Sequence, residues 1–167
     1  MGSSPGLRPT SERVRAAIFS ILGKHVVEGA SVLDLYAGAG LLGLESLSRG
    51  AARADFVESN RRLCRLLSVH LSLLGVEDQA RIYKGRVENI MTKLQGPYGL
   101  VFLDPPYRMK NMEVVLRQTA TLLTADGRAV VETRHATPLE ETYGSLGLHT
   151  RRRYGDTAIT VYGTSPW

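Results

Sequence analysis

One cysteine, Cys64, is present in 167 residues. No internal disulfide can form, and a reducing compartment fits. No apolar run approaches the ~20 residues that cross a bilayer, so no membrane partner is expected. No charged-then-apolar leader opens the chain, and a cytoplasmic protein is expected. Repeats and low-complexity tracts are missing, and the length suits one domain over residues 1–167 with a proper core. Lysine is also scarce. Of 21 cations, all but Lys24, Lys84, Lys93 and Lys110 are arginine, and the net charge is +5. Arginine grips phosphate bidentately and stacks on bases, so the bias suits a nucleic-acid partner. A genome rich in G and C, or a thermophile's surface, gives the same bias.

What is present is organised around Val32 to Gly43, VLDLYAGAGLLG. Val32, Leu33 and Leu35 read as a buried strand, Gly38 and Gly40 break it, and a helical pattern starts at Leu41. Strand, glycine turn and helix is where an open α/β sheet docks a small molecule against backbone N–H groups. Gly38, Gly40 and Gly43 satisfy G-x-G-x-x-G, and Glu58 follows at about the ~20-residue spacing of a ribose-binding carboxylate. That alone suggests a dinucleotide. Asp34 argues otherwise, because it sits where an anionic pyrophosphate would lie. Like charges there cost on the order of 4 kcal/mol at an effective dielectric near 20. S-adenosylmethionine (SAM), with a sulfonium, an ammonium and a ribose, suits Asp34, the turn and Glu58 together. Arg86 and Val87, after the third strand, are expected to present backbone N–H groups to the adenine edge. No metal site is expected.

Along the chain, strands are expected at 32–35, Arg53–Glu58, Ala80–Lys84, Gly99–Leu103 and Gly127–Glu132, alternating with helices. The helix over Asn60–Leu74 is expected to turn Leu63, Leu66, Leu67 and Leu74 inward, with His70 on that face. Val87–Leu94 reads as a short helix, and Thr137–Tyr143 as at most a turn or two. Gly147–Tyr154 and Ala158–Tyr162, joined by Gly155-Asp156, read as an antiparallel hairpin. The expected fold is α/β: a three-layer αβα sandwich on a Rossmann-like sheet, mostly parallel, with one antiparallel C-terminal strand.

The second motif, Asp104-Pro105-Pro106-Tyr107, ends the fourth strand, at the edge where such sheets bind ligands. The two prolines fix the backbone and remove two N–H donors. Asp104 and the Pro105 carbonyl then offer two acceptors to a planar group bearing an NH₂, with Tyr107 as a stacking plate. Arg108 and Lys110 follow and can hold a phosphate. Near the start, Thr10 or Ser11 can cap a helix whose first turns crowd Arg13 and Arg15 beside Arg8, a basic lip for phosphate.

With both motifs placed, the chain resembles the class I SAM-dependent methyltransferases that modify amines. It is most similar to the RsmD-like guanine-N2 methyltransferases of bacterial small-subunit (16S) ribosomal RNA. The match lies in Arg8-Pro-Thr-Ser-Glu-Arg-Val-Arg15, LDLYAGAGLLGLESLSRGA, FVESN and VFLDPPY. The resemblance implies that Asp34, Tyr36, Ala37, Gly38, Ala39, Gly40, Glu58 and Ser59 hold SAM and that Asp104 to Tyr107 grip the guanine amine. It implies that Arg8, Thr10, Arg13 and Arg108 border the substrate. A monomer acting on ribosomal RNA, in the small subunit or its assembly intermediate, is expected. Family members begin with a basic, glycine-containing hairpin ahead of the R-P-T segment, and here six residues precede Leu7. Three rivals stand beside this reading: an N6-adenine methyltransferase on RNA or DNA, a non-catalytic RNA-binding assembly factor, and a nicotinamide oxidoreductase. Asp34 disfavours the last.

Overall fold

The computed structural model describes residues 11–107 and 109–166. Five strands run parallel: β1 (Ser31–Leu35), β2 (Arg53–Glu58), β3 (Ala80–Lys84), β4 (Tyr98–Leu103) and β5 (Leu123–Arg134). Three more complete the sheet: β6 (Thr142–Tyr143), β7 (Leu146–Tyr154) and β8 (Thr157–Gly163). The order is β3-β2-β1-β4-β5-β8-β7-β6, and β8 runs antiparallel between β5 and β7.

Helices cover both faces. α1 (Glu12–Leu22), α2 (Lys24–Val27), α3 (Leu41–Ser48) and α4 (Arg61–Leu74) pack on one side, over Val32, Phe56, Leu100 and Phe102. α5 (Val87–Ile90) and α6 (Met112–Leu122) pack on the other, over Leu33, Leu35, Val101 and Leu103. The central strands lose water on both faces, which is why β1 and β4 read as near-continuous apolar runs. The expected sandwich is therefore the observed one.

Local chemistry starts and stops these helices. Ser11 caps α1, its hydroxyl accepting from the Val14 N–H at 3.2 Å. Asn60 caps α4, accepting from the N–H groups of Arg62 and Leu63.

Three local expectations differ. α4 turns Cys64, Leu67 and Leu71 inward, while Leu66 is 43% and Leu74 62% exposed. His70 is half-buried. Six leucines in fourteen positions leave more than one inward stripe open, and the tertiary fit settles it: Leu67 seats beside Gly40, and Cys64 donates to the Glu58 carbonyl. The helix expected over Val87–Leu94 gives way after Ile90 to a 3-10 turn at Met91–Lys93. Thr137–Tyr143 forms no helix. Its end is β6, held because Tyr143 accepts from the Glu140 N–H at 2.8 Å and packs edge-on against Tyr162.

The register positions the site. Leu35 pairs with Leu103 on one side and with Val57 on the other. The loops after β1, β2 and β4 therefore leave the same edge of the sheet.

Candidate active site at the carboxyl edge of the sheet

The glycine turn follows from backbone geometry. Tyr36, Gly38 and Gly40 all have positive φ, at 58°, 60° and 81°. A side chain costs about 1–2 kcal/mol in that region, which glycine avoids. Tyr36 accepts the strain. Its half-buried ring packs against the core under α5 and α6, and its hydroxyl donates to Met109 Sδ at 3.3 Å. Burial, with the Glu88 carboxylate nearby, pushes the hydroxyl's pKa up, so it remains a donor. Tyr36 thus ties the glycine turn to the loop that follows Tyr107.

Two carboxylates brace the turn. Glu58, nearly buried at the end of β2, accepts from the Gly38 N–H at 2.8 Å with Oε1 and from the Asn60 N–H at 2.7 Å with Oε2. Each oxygen keeps a lone pair for a further donor such as a ribose hydroxyl. Asp34 is 2% exposed, and its Oδ2 accepts from the Gly43 N–H at 2.9 Å in the first turn of α3. Burial raises its pKa to about 8, against the opposing pull of the Gly43 N–H, and the Asp104 and Glu58 carboxylates raise it further. Three acidic groups thus surround one end of the turn.

The glycines also differ in the room they leave. A Cβ on Gly43 would overlap the Phe56 ring, and one on Gly40 would overlap Leu67. These two permit close packing of α3 on β2 and α4. A Cβ on Gly38 would meet nothing within 4 Å. Open space over a glycine, an acidic rim and a ribose-competent carboxylate fit SAM, whose reactive end is cationic. Gly38, Asp34 and Glu58 are the residues that can hold it.

The remaining cofactor candidates lie around the same turn. The Ala37 N–H donates to the Val57 carbonyl at 3.0 Å, and Gly40 donates to Ala37, so the backbone of the turn is fixed. Ala39 is half-buried and Ser59 is exposed beside Glu58. Arg86 precedes α5 and Val87 opens it, and the Gly85 N–H donates to the Glu58 carbonyl at 3.0 Å. The third loop is thereby pinned to the end of β2.

Asp104 begins the loop after β4, next to the start of the glycine turn. It is half-buried, Pro105 is buried, and Tyr107 is 48% exposed. The Arg134 guanidinium, at the end of β5, lies 4.1 Å from the Tyr107 ring centroid. No signal in the sequence marks Arg134, because its partner is 27 positions away and the pairing is made by the sheet. Nor does any local signal mark Met109, Glu88 or Asn111. The Asn111 amide donates to the Glu88 carboxylate at 3.4 Å beside Tyr36.

Of the expected substrate residues, Arg13 is exposed in the first turn of α1. Arg8, Thr10 and Arg108 lie outside the described residues. Among the described residues no helix is long and apolar enough to cross a membrane.

Comparison with known proteins agrees with this geometry. The family model described as Conserved hypothetical protein 95 matches residues 1–163. The ribosomal RNA small subunit methyltransferase D of Escherichia coli K12 is 34% identical over 161 residues, 95% of this chain and 80% of that protein. The solved structure of a conserved hypothetical protein from Streptococcus pyogenes matches with a TM-score of 0.85 and 33% identity, covering 91% of this chain and 96% of that one. A hypothetical protein of Thermus thermophilus matches with a TM-score of 0.79 and 26% identity, covering 96% and 91%.

Proposed function

We infer, from a chain that belongs to the family described as Conserved hypothetical protein 95, that it is a SAM-dependent methyltransferase acting on ribosomal RNA. We propose further that the acceptor is the N2 amine of a guanine in the small subunit or its assembly intermediate, and that the enzyme works as a cytoplasmic monomer. The relatives' names support the substrate class. The observation that carries the reaction is the shared edge: the loop with the open glycine and the loop with Asp104 leave adjacent, register-paired strands.

SAM supplies an electrophilic methyl on a sulfonium. The chain supplies everything that positions it and the amine. Glu58 takes the ribose hydroxyls, the backbone from Tyr36 to Gly40 wraps the methionine end, and Asp34 offsets its positive charge. Ser59, Arg86 and Val87 border the ribose and adenine. Asp104 and the Pro105 carbonyl accept the two amine hydrogens, Pro106 holds the turn rigid, and Tyr107 stacks on the ring. A nucleobase amine is a poor nucleophile because its lone pair is delocalised, so orientation is the main lever. Asp104 also stabilises the positive charge that develops on nitrogen. The methylated amine is acidic enough to lose its proton without a strong base. Arg8, Thr10, Arg13 and Arg108 are assigned to the RNA backbone, where phosphate contacts fix register.

An N6-adenine methyltransferase shares the two-acceptor corner. Structured RNA supplies shape to a small enzyme, which favours the guanine reading, and either base must leave its stack. Mass spectrometry of ribosomal RNA from a strain lacking the gene separates them. Loss of one N2-methylguanosine is the expected result. Loss of N6-methyladenosine with every N2-methylguanosine intact overturns it.

A further inference from the structure

The Pro105-Pro106-Tyr107 turn has two flanks. One faces the glycine turn across β1. The other faces β5, which neighbours β4 on the side away from β1. On that second flank lies a hollow of about 300 Å³ between the turn and the Thr133–Tyr143 segment. The reaction described above uses the turn that forms one wall of this hollow and leaves the opposite wall, from Thr133 to Tyr143, without a role. We propose that this hollow is a second nucleotide subsite, taking the nucleotide next to the target base on the same strand, with Arg134 at its phosphate. The proposal rests on the base-methylation reading.

Size comes first. A hollow at the lower end of the ~300–1,000 Å³ range of ligand pockets takes one base or nucleotide, not a longer stretch. Chemistry comes second. Tyr143 and Pro105 give apolar wall, Arg134 and Lys110 bring positive charge, and of the two carboxylates in the lining, Glu113 and Glu140, the first is paired with Arg117 at 3.0 Å. A flat apolar wall with cations at its rim is what a base and its phosphate require.

The stacking of Arg134 on Tyr107 is the third point. A guanidinium stacks through its face, and its five N–H donors lie in its plane. Arg134 is exposed, and among the described residues no hydrogen bond or ion pair engages its donors. It can back the Tyr107 plate from one side and bind a phosphate at its edge. The wall also holds a buried polar group, the Thr133 hydroxyl, without a hydrogen-bond partner among the described residues. A buried hydroxyl left unpaired is costly, and a ligand atom reaching it would remove that cost. In enzymes that flip a base, contacts to the flanking nucleotides help to set substrate choice.

The test uses the whole chain saturated with S-adenosylhomocysteine and two probes, guanosine and the trinucleotide UpGpU. Backbone amide shifts are the readout. Guanosine should move the amides of Asp104 and Tyr107 only. The trinucleotide should move those of Thr133, Arg134 and Tyr143 as well. Arg134→Ala should weaken the trinucleotide about tenfold more than guanosine, the loss of one phosphate contact. Thr137→Trp, which fills the hollow, should remove the trinucleotide-specific shifts while thermal unfolding stays unchanged. Trinucleotide shifts confined to Asp104 and Tyr107 overturn the subsite and leave base methylation standing. Shifts at Thr133 and Arg134 with none at Asp104 and Tyr107 overturn the base-methylation reading and the subsite's place beside a target base. No shift with either probe overturns both.

Discussion

Leu35 of β1 and Leu103 of β4 are register partners at the carboxyl edge of the sheet, so Tyr36 and Asp104 start their loops side by side. Neighbouring strands lie about 4.8 Å apart. A cofactor on one loop and an amine on the other are then within reach without any domain movement. The Tyr36 hydroxyl on Met109 makes a second link between the same loops.

Asp104→Ala should separate binding from chemistry. It removes an acceptor for the amine and leaves the Gly38 and Glu58 contacts intact. Turnover should fall by about 10²-fold or more, in line with loss of one well-placed electrostatic group. SAM affinity, read by calorimetry, should change less than about threefold. Unchanged turnover would remove Asp104 from the mechanism.

Glu58→Ala should do the reverse. It leaves the Gly38 and Asn60 N–H groups without their acceptor, at about 1–3 kcal/mol. It also loses the ribose contact. SAM binding should weaken by at least about tenfold, with a lower unfolding temperature. Wild-type affinity in a folded variant would place the ribose elsewhere.

Gly38→Ala and Gly43→Ala should part company. At Gly43 the new methyl overlaps Phe56. Overpacking of that kind costs about 1–3 kcal/mol, seen in denaturant unfolding. At Gly38 the methyl meets no protein atom, though φ is 60°. The strain is about 1–2 kcal/mol, and the methyl projects into the cofactor space. SAM affinity should therefore drop more for Gly38→Ala than its stability loss explains. Full SAM affinity there would show that the open space is not the cradle.

Asp34 sets a pH dependence with a definite sign. Its folded pKa is about 8, against an ordinary value of 3.8. Between those values the folded chain binds more protons than the unfolded one, so this group's contribution to stability falls as pH rises toward 8. Asp34→Asn should flatten that fall in thermal melts. A cationic ligand favours the ionised carboxylate. SAM should then bind more tightly as pH rises toward 8, by at most about tenfold per unit. Uncharged-sulfur S-adenosylhomocysteine should respond less. Equal pH profiles for both ligands would contradict a charge role for Asp34.

Much of this was legible in the sequence because the signals are local. The apolar runs at Val32–Leu35 and Leu100–Leu103, the glycines between them and α3, and the two prolines each dictate backbone shape over a few residues. Glu58 was legible by spacing, and the 2.8 Å bond to Gly38 places it at the turn. What stayed hidden depends on contacts between distant segments. The inward phase of α4 is set by Leu67 against Gly40, not by its leucine count. Arg134 meets Tyr107 only because β5 lies beside β4. The short β6 exists because Tyr143 finds Glu140 and Tyr162.

The central claim is that the glycine turn and the Asp104 corner form one pocket that methylates a guanine amine. Its most direct test is transfer of tritiated methyl from SAM to small ribosomal subunits prepared from cells lacking the enzyme, with the labelled nucleoside identified after digestion. Label in N2-methylguanosine with the wild-type chain, and none with Asp104→Ala, is the predicted result. Label in any other nucleoside, or equal label with the variant, would contradict it.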